Sequence, residues 1–200
     1  MNKKLIIFDF DGVLINSKEN MRISWNEVIK RTNSNIKFGK YFKEIGVPFE
    51  NILKKIKFKN NSKIAKKIYD ETSINNFLKI KLYSGVKKYT DKLFSKKITC
   101  LVTSKSKKRA VILINKFKLK FHHIYTPDDI FPGKPNPKLI YHLMKNYNLE
   151  RKDIIVVGDM DADKKFAQNA KVDFVSVTYG YGNLKSKKKI KKIIELNKFL

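Results

Sequence analysis

The sequence predicts an α/β protein with a doubly wound parallel sheet and an inserted all-helical domain. Short apolar runs of strand length occur near the N-terminus and through the second half of the chain, each followed by a helical pattern. This alternation is typical of a parallel sheet with helices on both faces. Between the first run and the others, residues 16–82 show helical periodicity and no convincing strand. Two carboxylates end the first run, at the position where open α/β sheets bind ligands.

The first strand is predicted at Leu5–Phe8, where the residues are uniformly apolar, as in a strand buried on both faces. It leads into Asp9 and Asp11, whose side chains point the same way if the strand geometry continues. Gly12 follows and permits a sharp bend and a close approach to a ligand. Asp and Gly are ordinary turn residues, but two acids directly after a buried strand repel each other and indicate a cation or a shared proton.

The second half of the chain alternates between helices and strands. The patterns predict helices at 86–94, 107–117, 139–147 and 162–170, and strands at 97–102, 122–126, 153–158 and 174–177. Residues 186–200 combine many lysines with apolar residues and could form a basic amphipathic surface helix. Because they follow the fifth strand, a last helix docked on the sheet is expected.

The domain boundaries follow from this alternation. Residues 1–15 and 83–200 are predicted to form the α/β core, and residues 16–82 the inserted helical domain. The insert begins with a helix at about 19–31, and the turn Gly46-Val47-Pro48 separates two later apolar patches. This turn either joins two helices or lowers a loop onto a ligand, and both interpretations stay open.

The net charge of +27 is ordinarily typical of nucleic-acid binding. Only four residues are arginines, however, although arginine is best suited to bidentate contacts with phosphates and bases. The lysines are scattered through every segment and accompany abundant Ile, Asn, Phe and Tyr, which indicates a general compositional bias. We therefore expect no specific nucleic-acid partner, while a positive field would attract an anionic substrate.

The single cysteine, Cys100, cannot form an intramolecular disulfide, which favours a reducing, cytoplasmic setting. No segment approaches the roughly 20 apolar residues that a membrane span requires, so no membrane partner is expected. We expect a monomer or a weak dimer.

The segment Asp9-Phe10-Asp11-Gly12-Val13-Leu14 resembles the first motif of the haloacid dehalogenase (HAD) superfamily of aspartyl-phosphate phosphotransferases. Thr103, Lys134 and the pair Asp159/Asp163 resemble the second, third and fourth motifs, in that order along the chain. Asp161 is a competing second acid, but the spacing of the family motif selects Asp163. The insert resembles, in position and helical character, the cap domain of the subgroup that includes phosphoglycolate phosphatases and β-phosphoglucomutases.

The resemblance implies a role for each matching residue. Asp9 would be the nucleophile and Asp11 the general acid and base. A Mg²⁺ cofactor would be held by Asp9, Asp159 and the backbone carbonyl of Asp11. The remaining residues comprise a phosphate-binding set and one supporting acid: Gly12, Thr103, Ser104 and Lys134, with Asp163 in support.

The function implied is a Mg²⁺-dependent phosphatase acting on a small phosphorylated metabolite, with phosphoglycolate as the leading substrate. A sugar phosphomutase of the β-phosphoglucomutase type shares all four motifs, but it typically has a histidine twelve positions after the nucleophile, where this chain has Met21. A third alternative is a lysine-rich protein that binds nucleic acid or membrane surfaces without turnover.

Overall fold

The computed structural model describes residues 2–200 and has a parallel six-stranded sheet at its centre. The strands in chain order are β1 (Leu5–Phe8), β2 (Ile15–Asn16), β3 (Lys81–Leu82), β4 (Ile98–Val102), β5 (His123–Tyr125), β6 (Ile154–Gly158), β7 (Asp173–Val177) and β8 (Lys189–Ile190). The order across the sheet is β5-β4-β1-β6-β7-β8, so β1 occupies an inner position between β4 and β6.

Helices cover both faces of this sheet and also make up the insert. They are α1 (Lys18–Thr32), α2 (Phe38–Phe42), α3 (Phe49–Lys55), α4 (Ser62–Asn75), α5 (Val86–Phe94), α6 (Lys107–Lys116), α7 (Lys138–Asn146) and α8 (Asp161–Ala170). Short 3-10 helices lie at Phe77–Lys79, Arg151–Asp153 and Ile193–Phe199.

The alternation of side chains along β1 explains why the sheet is covered on both faces. Ile6 and Phe8 belong to a buried cluster with α5 and α6, whereas Leu5 and Ile7 belong to a cluster with α7 and α8. All four side chains are at most 1% exposed, as expected for an inner parallel strand. The predicted fold class, a doubly wound parallel sheet with a helical insert, is confirmed.

The insert is built around a third apolar cluster, distinct from the two that flank the sheet, to which Ala162 of α8 also contributes. Trp25 stacks on Tyr41 with ring centroids 4.4 Å apart, and Tyr41 lies 5.6 Å from Tyr69. The indole N–H of Trp25 donates to the carbonyl of Ile36 at 2.7 Å, so its polar atom is paired. Aromatic pairs of this kind contribute about 0.5–1.5 kcal/mol beyond their buried area.

The sequence-based prediction was wrong at the C-terminus. Residues 189–190 form β8 and residues 193–199 a 3-10 helix, in place of a long helix. The edge of β7 explains the difference: the Ser176 N–H donates to the Lys188 carbonyl at 3.0 Å, and the Thr178 N–H donates to the Ile190 carbonyl at 2.9 Å. Pairing with β8 thus satisfies backbone groups that an edge strand would leave open. Docking itself is confirmed, because Leu196 is buried in the core.

The prediction that residues 16–82 lack strands was also incomplete. The two-residue strands β2 and β3 pair antiparallel, with Ile15 opposite Leu82. The chain therefore leaves and re-enters the core side by side, next to the predicted domain boundaries. The boundaries themselves remain a prediction.

Candidate active site

Three neighbouring strands end at one edge of the sheet and place polar residues there. Asp9 directly follows β1, Thr103 follows β4 and Asp159 follows β6. β1 pairs in parallel with both neighbours, so the three ends are adjacent. The carboxyl ends of parallel strands are where open α/β sheets bind ligands.

Lys134 joins two of the predicted acids. Its Nζ donates to Asp9 Oδ1 at 2.5 Å and to Asp163 Oδ1 at 2.6 Å, and the lysine is only 4% exposed. The other oxygen of Asp163 accepts the backbone N–H groups of Asp159 at 3.2 Å and Met160 at 3.0 Å. Asp163 therefore orients Lys134 and fixes the start of α8 at the same time.

Asp161, the competing second acid, lies outside this cluster. Its side chain is exposed and forms an i,i+4 ion pair with Lys165 at 2.7 Å. The structure brings Asp163, and not Asp161, next to Asp9.

Asp159 is buried beside Gly12. Its Oδ2 accepts the backbone N–H of Tyr181 at 2.6 Å, whereas its Oδ1 is buried with no hydrogen-bond partner among residues 2–200. Gly12 has a φ of +80°, and a Cβ there would lie 2.1 Å from Asp159 Oδ2. Only glycine permits both this backbone conformation and this approach.

The donor set fits a divalent cation. Carboxylate oxygens of Asp9, Asp159 and Asp163 lie within 4.8 Å of one another, and Mg²⁺ is usually bound by one or two carboxylates together with water and phosphate oxygens. Both oxygens of Asp163 already accept N–H groups, whereas Asp159 Oδ1 has no partner. Asp9 and Asp159 are thus the side chains that fit as Mg²⁺ ligands, whereas Asp163 is the ion-pair partner of Lys134.

The charges of the cluster are unbalanced without such a cation. Burial raises the pKa of Asp9 to about 7, with Lys134 opposing the rise and Asp163 and Asp11 adding to it. Burial also raises the pKa of Asp159 well above its usual range, and repulsion from Asp9 and Asp163 adds to the effect. Burial acts to lower the pKa of Lys134, but its two carboxylate partners raise it overall. A single lysine therefore does not neutralise these acids.

Asp11 has a different set of partners. Its Oδ1 accepts Nζ–H of Lys105 at 2.7 Å and the hydroxyl of Ser17. The backbone N–H of Ser17 in turn donates to the Tyr181 hydroxyl oxygen at 2.6 Å. Because Tyr181 also binds Asp159, its loop connects the surroundings of the two acids.

A cleft between this edge of the sheet and the insert contains Asp9 and Asp11. Its core wall comprises Ser104, Lys105, Arg109 and Met160, and its insert wall comprises Met21, Tyr41, Ile45, Gly46, Val47, Phe49, Ile52 and Tyr69. The predicted phosphate-binding residue Thr103 lies beside this cleft, in a smaller cavity that Ser104 and Lys134 also line. The Thr103 hydroxyl accepts the backbone N–H of Lys105 at 3.2 Å.

The turn at residues 46–48 packs against the core at the edge of the cleft. Gly46 has a φ of +100°, and a Cβ there would lie 3.1 Å from Cβ of Met160. On the other side, a Cβ on Gly133 would lie 3.0 Å from Pro48. The turn therefore contacts the loops that carry Asp159 and Lys134.

Sequence reasoning missed Lys105, Arg109, Ser17 and Tyr181 as members of the site. Lys105 and Arg109 are 3% and 8% exposed, which is unusual for cationic side chains without a paired role. One signal was available: Arg109 is one of only four arginines in a chain rich in lysine.

The chain is similar to known proteins in both sequence and fold. The family model described as haloacid dehalogenase-like hydrolase matches residues 6–177. A pyrophosphatase, PpaX, of Oceanobacillus iheyensis is 25% identical over 190 residues, which cover 90% of this chain and 85% of the relative. A phosphoglycolate phosphatase of Colwellia psychrerythraea is 24% identical over 196 residues, with 90% and 86% covered.

Solved structures show the same fold. A Lactobacillus plantarum protein superposes with a TM-score of 0.88 at 20% identity, covering 100% of each chain. A hydrolase from Pseudomonas syringae superposes with a TM-score of 0.86 at 20% identity, covering 98% of this chain and 97% of the other.

The family match spans most of the chain, including the segments that end in Asp9, Thr103 and Asp159. The chain therefore belongs to the haloacid dehalogenase-like hydrolases, as the order of the four motifs in its sequence predicted.

Proposed function

We propose that this protein is a Mg²⁺-dependent phosphatase that hydrolyses a small phosphorylated metabolite through an aspartyl-phosphate. The observation that carries the proposal is the convergence of Asp9, Lys134 and Asp159 at the end of an inner strand, with Asp11 in the same cleft. Phosphoglycolate is the leading substrate, and the relative from Colwellia psychrerythraea named phosphoglycolate phosphatase supports it.

The first chemical step transfers the phosphoryl group to the protein. A carboxylate oxygen of Asp9 forms a bond to phosphorus while the bond from phosphorus to the ester oxygen breaks. Asp11 donates a proton to that leaving oxygen as general acid. Lys105 and Ser17 hold the Asp11 carboxyl group for this transfer, since both contact Oδ1.

The second step restores the protein. A water oxygen forms a bond to phosphorus and the bond from Asp9 to phosphorus breaks. Asp11 takes a proton from that water, so both carboxyl groups return to their starting states. One difficult displacement is thereby divided into two easier ones.

Mg²⁺ would be held by Asp9, Asp159 and, by resemblance, the backbone carbonyl of Asp11, and when bound it offsets the negative charge of the phosphoryl group. Lys134 supplies a second positive charge 2.5 Å from the nucleophile. Thr103, Ser104 and the backbone at Gly12 are proposed to orient the phosphoryl oxygens. Asp163 acts through Lys134 and is a positioning residue.

The phosphomutase alternative is less well supported by the cleft. Met21 is 6% exposed and lines the cleft that contains Asp9 and Asp11. A thioether carries no exchangeable proton and cannot act as an acid or base. Phosphomutases of the β-phosphoglucomutase type typically have a histidine at the position of Met21.

We further propose that residues 16–82 act as a cap and that the boundaries lie at residues 15/16 and 82/83. We also propose that the protein is a cytoplasmic monomer or weak dimer with no specific nucleic-acid partner. None of the helices described within residues 2–200 is long and apolar enough to cross a membrane.

The test is phosphate release from a panel of small phosphate esters, with and without Mg²⁺. We expect Mg²⁺-dependent release by the natural protein and none by Asp9→Asn, because an amide cannot serve as the nucleophile. Asp161→Asn is the matched control, since it makes the same change in an exposed acid. Equal release by Asp9→Asn and the natural protein, or no release from any ester, would overturn the proposal.

A further inference from the structure

Arg109 is buried and extends from the core into the insert. From α6, its Nε donates to Ser73 Oγ at 3.0 Å and its Nη1 donates to Asp70 Oδ1 at 3.1 Å, both on α4. Its guanidinium also lies over the ring of Tyr69, 4.9 Å from the centroid. Neither of these bonds uses Nη2, so the guanidinium has further N–H donors where Arg109 lines the cleft.

Tyr69 presents a second unexplained polar group at the same place. The residue is 2% exposed, and its hydroxyl forms no hydrogen bond of normal geometry within residues 2–200, although the nearby Tyr41 influences its pKa. Both Tyr69 and Arg109 line the cleft that contains Asp9 and Asp11. A buried hydroxyl without a partner is costly in a folded protein, and a ligand oxygen would satisfy it.

The cationic side chains in and beside this part of the cleft have acidic partners. Asp70 is shared between Arg109 and Lys66, whose Nζ lies 3.6 Å away. Lys105 is a further buried cation in the cleft wall, and its partner is Asp11. Burial lowers the pKa of Lys105, and attraction from Asp11 opposes that change. An anionic group in the cleft would face both Arg109 and Lys105.

We propose that Arg109 and Tyr69, with Lys105 beside them, form a subsite for a second anionic group on the leaving-group side of the ester. The inference rests on the proposed phosphatase function and names its substrate class: small esters whose leaving group carries a carboxylate or a further phosphoryl group. The remaining N–H donors of the guanidinium suit both groups, because each group presents anionic oxygens that accept charge-assisted hydrogen bonds. Arg109 is then a specificity-determining residue, separate from the groups that handle the transferred phosphoryl group.

The test is a binding measurement that does not depend on turnover. In the Asp9→Asn background with Mg²⁺, calorimetric titration compares 2-phosphoglycolate, pyrophosphate and ethyl phosphate, which lacks a second charge. We expect at least one doubly anionic ligand to bind about ten- to a hundredfold more tightly than ethyl phosphate, the usual size of a charged hydrogen-bonded contact. Adding Arg109→Gln should abolish this preference, and adding Tyr69→Phe, which keeps the ring, should reduce it.

Lys108→Gln is the matched control, because it removes one positive charge from the same helix at an exposed position. It should leave the preference unchanged. Arg109→Lys keeps the positive charge but loses the planar guanidinium. A partial loss of the preference for doubly anionic ligands in this variant would show that the effect is ligand recognition, and not unfolding of the insert. The ligand that loses more affinity in Arg109→Gln identifies the second group as a carboxylate or a phosphoryl group.

Equal affinities for all three ligands, or a preference that survives Arg109→Gln, would overturn the subsite. Hydrolysis of ethyl phosphate and 2-phosphoglycolate at equal kcat/KM would also overturn the subsite, but it would support the phosphatase function. If no ester is hydrolysed but the Arg109-dependent preference is measured, the phosphatase proposal fails and the subsite stands.

Discussion

Replacing Asp163 by alanine tests whether this residue holds Lys134 or binds the metal. The carboxylate is 1% exposed, pairs with Lys134 at 2.6 Å and accepts two backbone N–H groups at the start of α8. Removing one partner of a buried ion pair costs about 3–5 kcal/mol. Lys134 keeps Asp9 as a partner in this variant, which reduces the loss of stability. Two backbone N–H donors lose their acceptor, however, which increases it.

We therefore expect Asp163→Ala to lower the free energy of unfolding by about 3–5 kcal/mol. For a chain of this length, that corresponds to a fall in Tm of about 6–20 °C, at roughly 2–4 °C per kcal/mol. Asp161→Ala removes an acid from the same turn of α8, but its ion pair with Lys165 is exposed. That change should cost at most about 1 kcal/mol.

The assay is urea denaturation and thermal unfolding of both variants, with and without Mg²⁺. Because both oxygens of Asp163 are already engaged, Asp163→Ala should retain a Mg²⁺-induced rise in Tm, whereas Asp159→Asn should lose it. Equal destabilisation by Asp163→Ala and Asp161→Ala would refute the buried-pair reasoning. Loss of the Mg²⁺ response in Asp163→Ala, to the same extent as in Asp159→Asn, would make Asp163 a metal ligand.

Four further predictions use different measurements. Asp11→Asn should slow turnover of alkyl esters roughly 10²–10⁴-fold, but slow the phosphorylation step less on aryl phosphates; an equal loss on both would exclude Asp11 as the acid. Gly12→Ala should abolish turnover and the Mg²⁺ response, because its Cβ would lie 2.1 Å from Asp159 Oδ2, whereas Gly39→Ala, whose Cβ meets no atom within 4 Å, should not. Gly46→Ala should change the ranking of esters by kcat/KM, while a uniform loss would mean that the turn closes the site without selecting substrates. Binding of DNA or RNA should be weak, sequence-blind and lost steeply with added salt; nanomolar, sequence-selective binding at physiological salt would contradict the compositional argument.

The parts of the fold that were predicted correctly have local causes. Leu5–Phe8 is apolar without interruption because both faces of β1 are buried, and that cause is visible within four residues. The C-terminal β8 had no such signature. Only Ile190 is buried in that strand, and the strand forms because the N–H groups of β7 require partners. A local pattern of lysines and isoleucines does not reveal an edge strand elsewhere in the chain.

The site divides in the same way. Asp9 and Asp159 follow apolar strands directly, so their meeting at one edge of the sheet follows from strand order alone. Arg109 lies in α6 among lysines and reads in the sequence as part of a solvated helix face. Its burial depends on Asp70 and Ser73, which lie more than 30 positions earlier in α4. No periodicity within α6 contains that information.

The residues at the strand ends do not determine which phosphate ester is the substrate. Every phosphate ester presents the same phosphoryl group, so the strand-end residues cannot distinguish one ester from another. Discrimination requires contacts with the leaving group, and we propose that in this cleft they come from the lining residues of the insert together with Lys105 and Arg109. These residues come from several segments and meet only through packing between the insert and the core. The sequence therefore predicts the class of reaction. The class of substrate can be inferred only from the three-dimensional arrangement of the charges and unpaired donors that line the cleft.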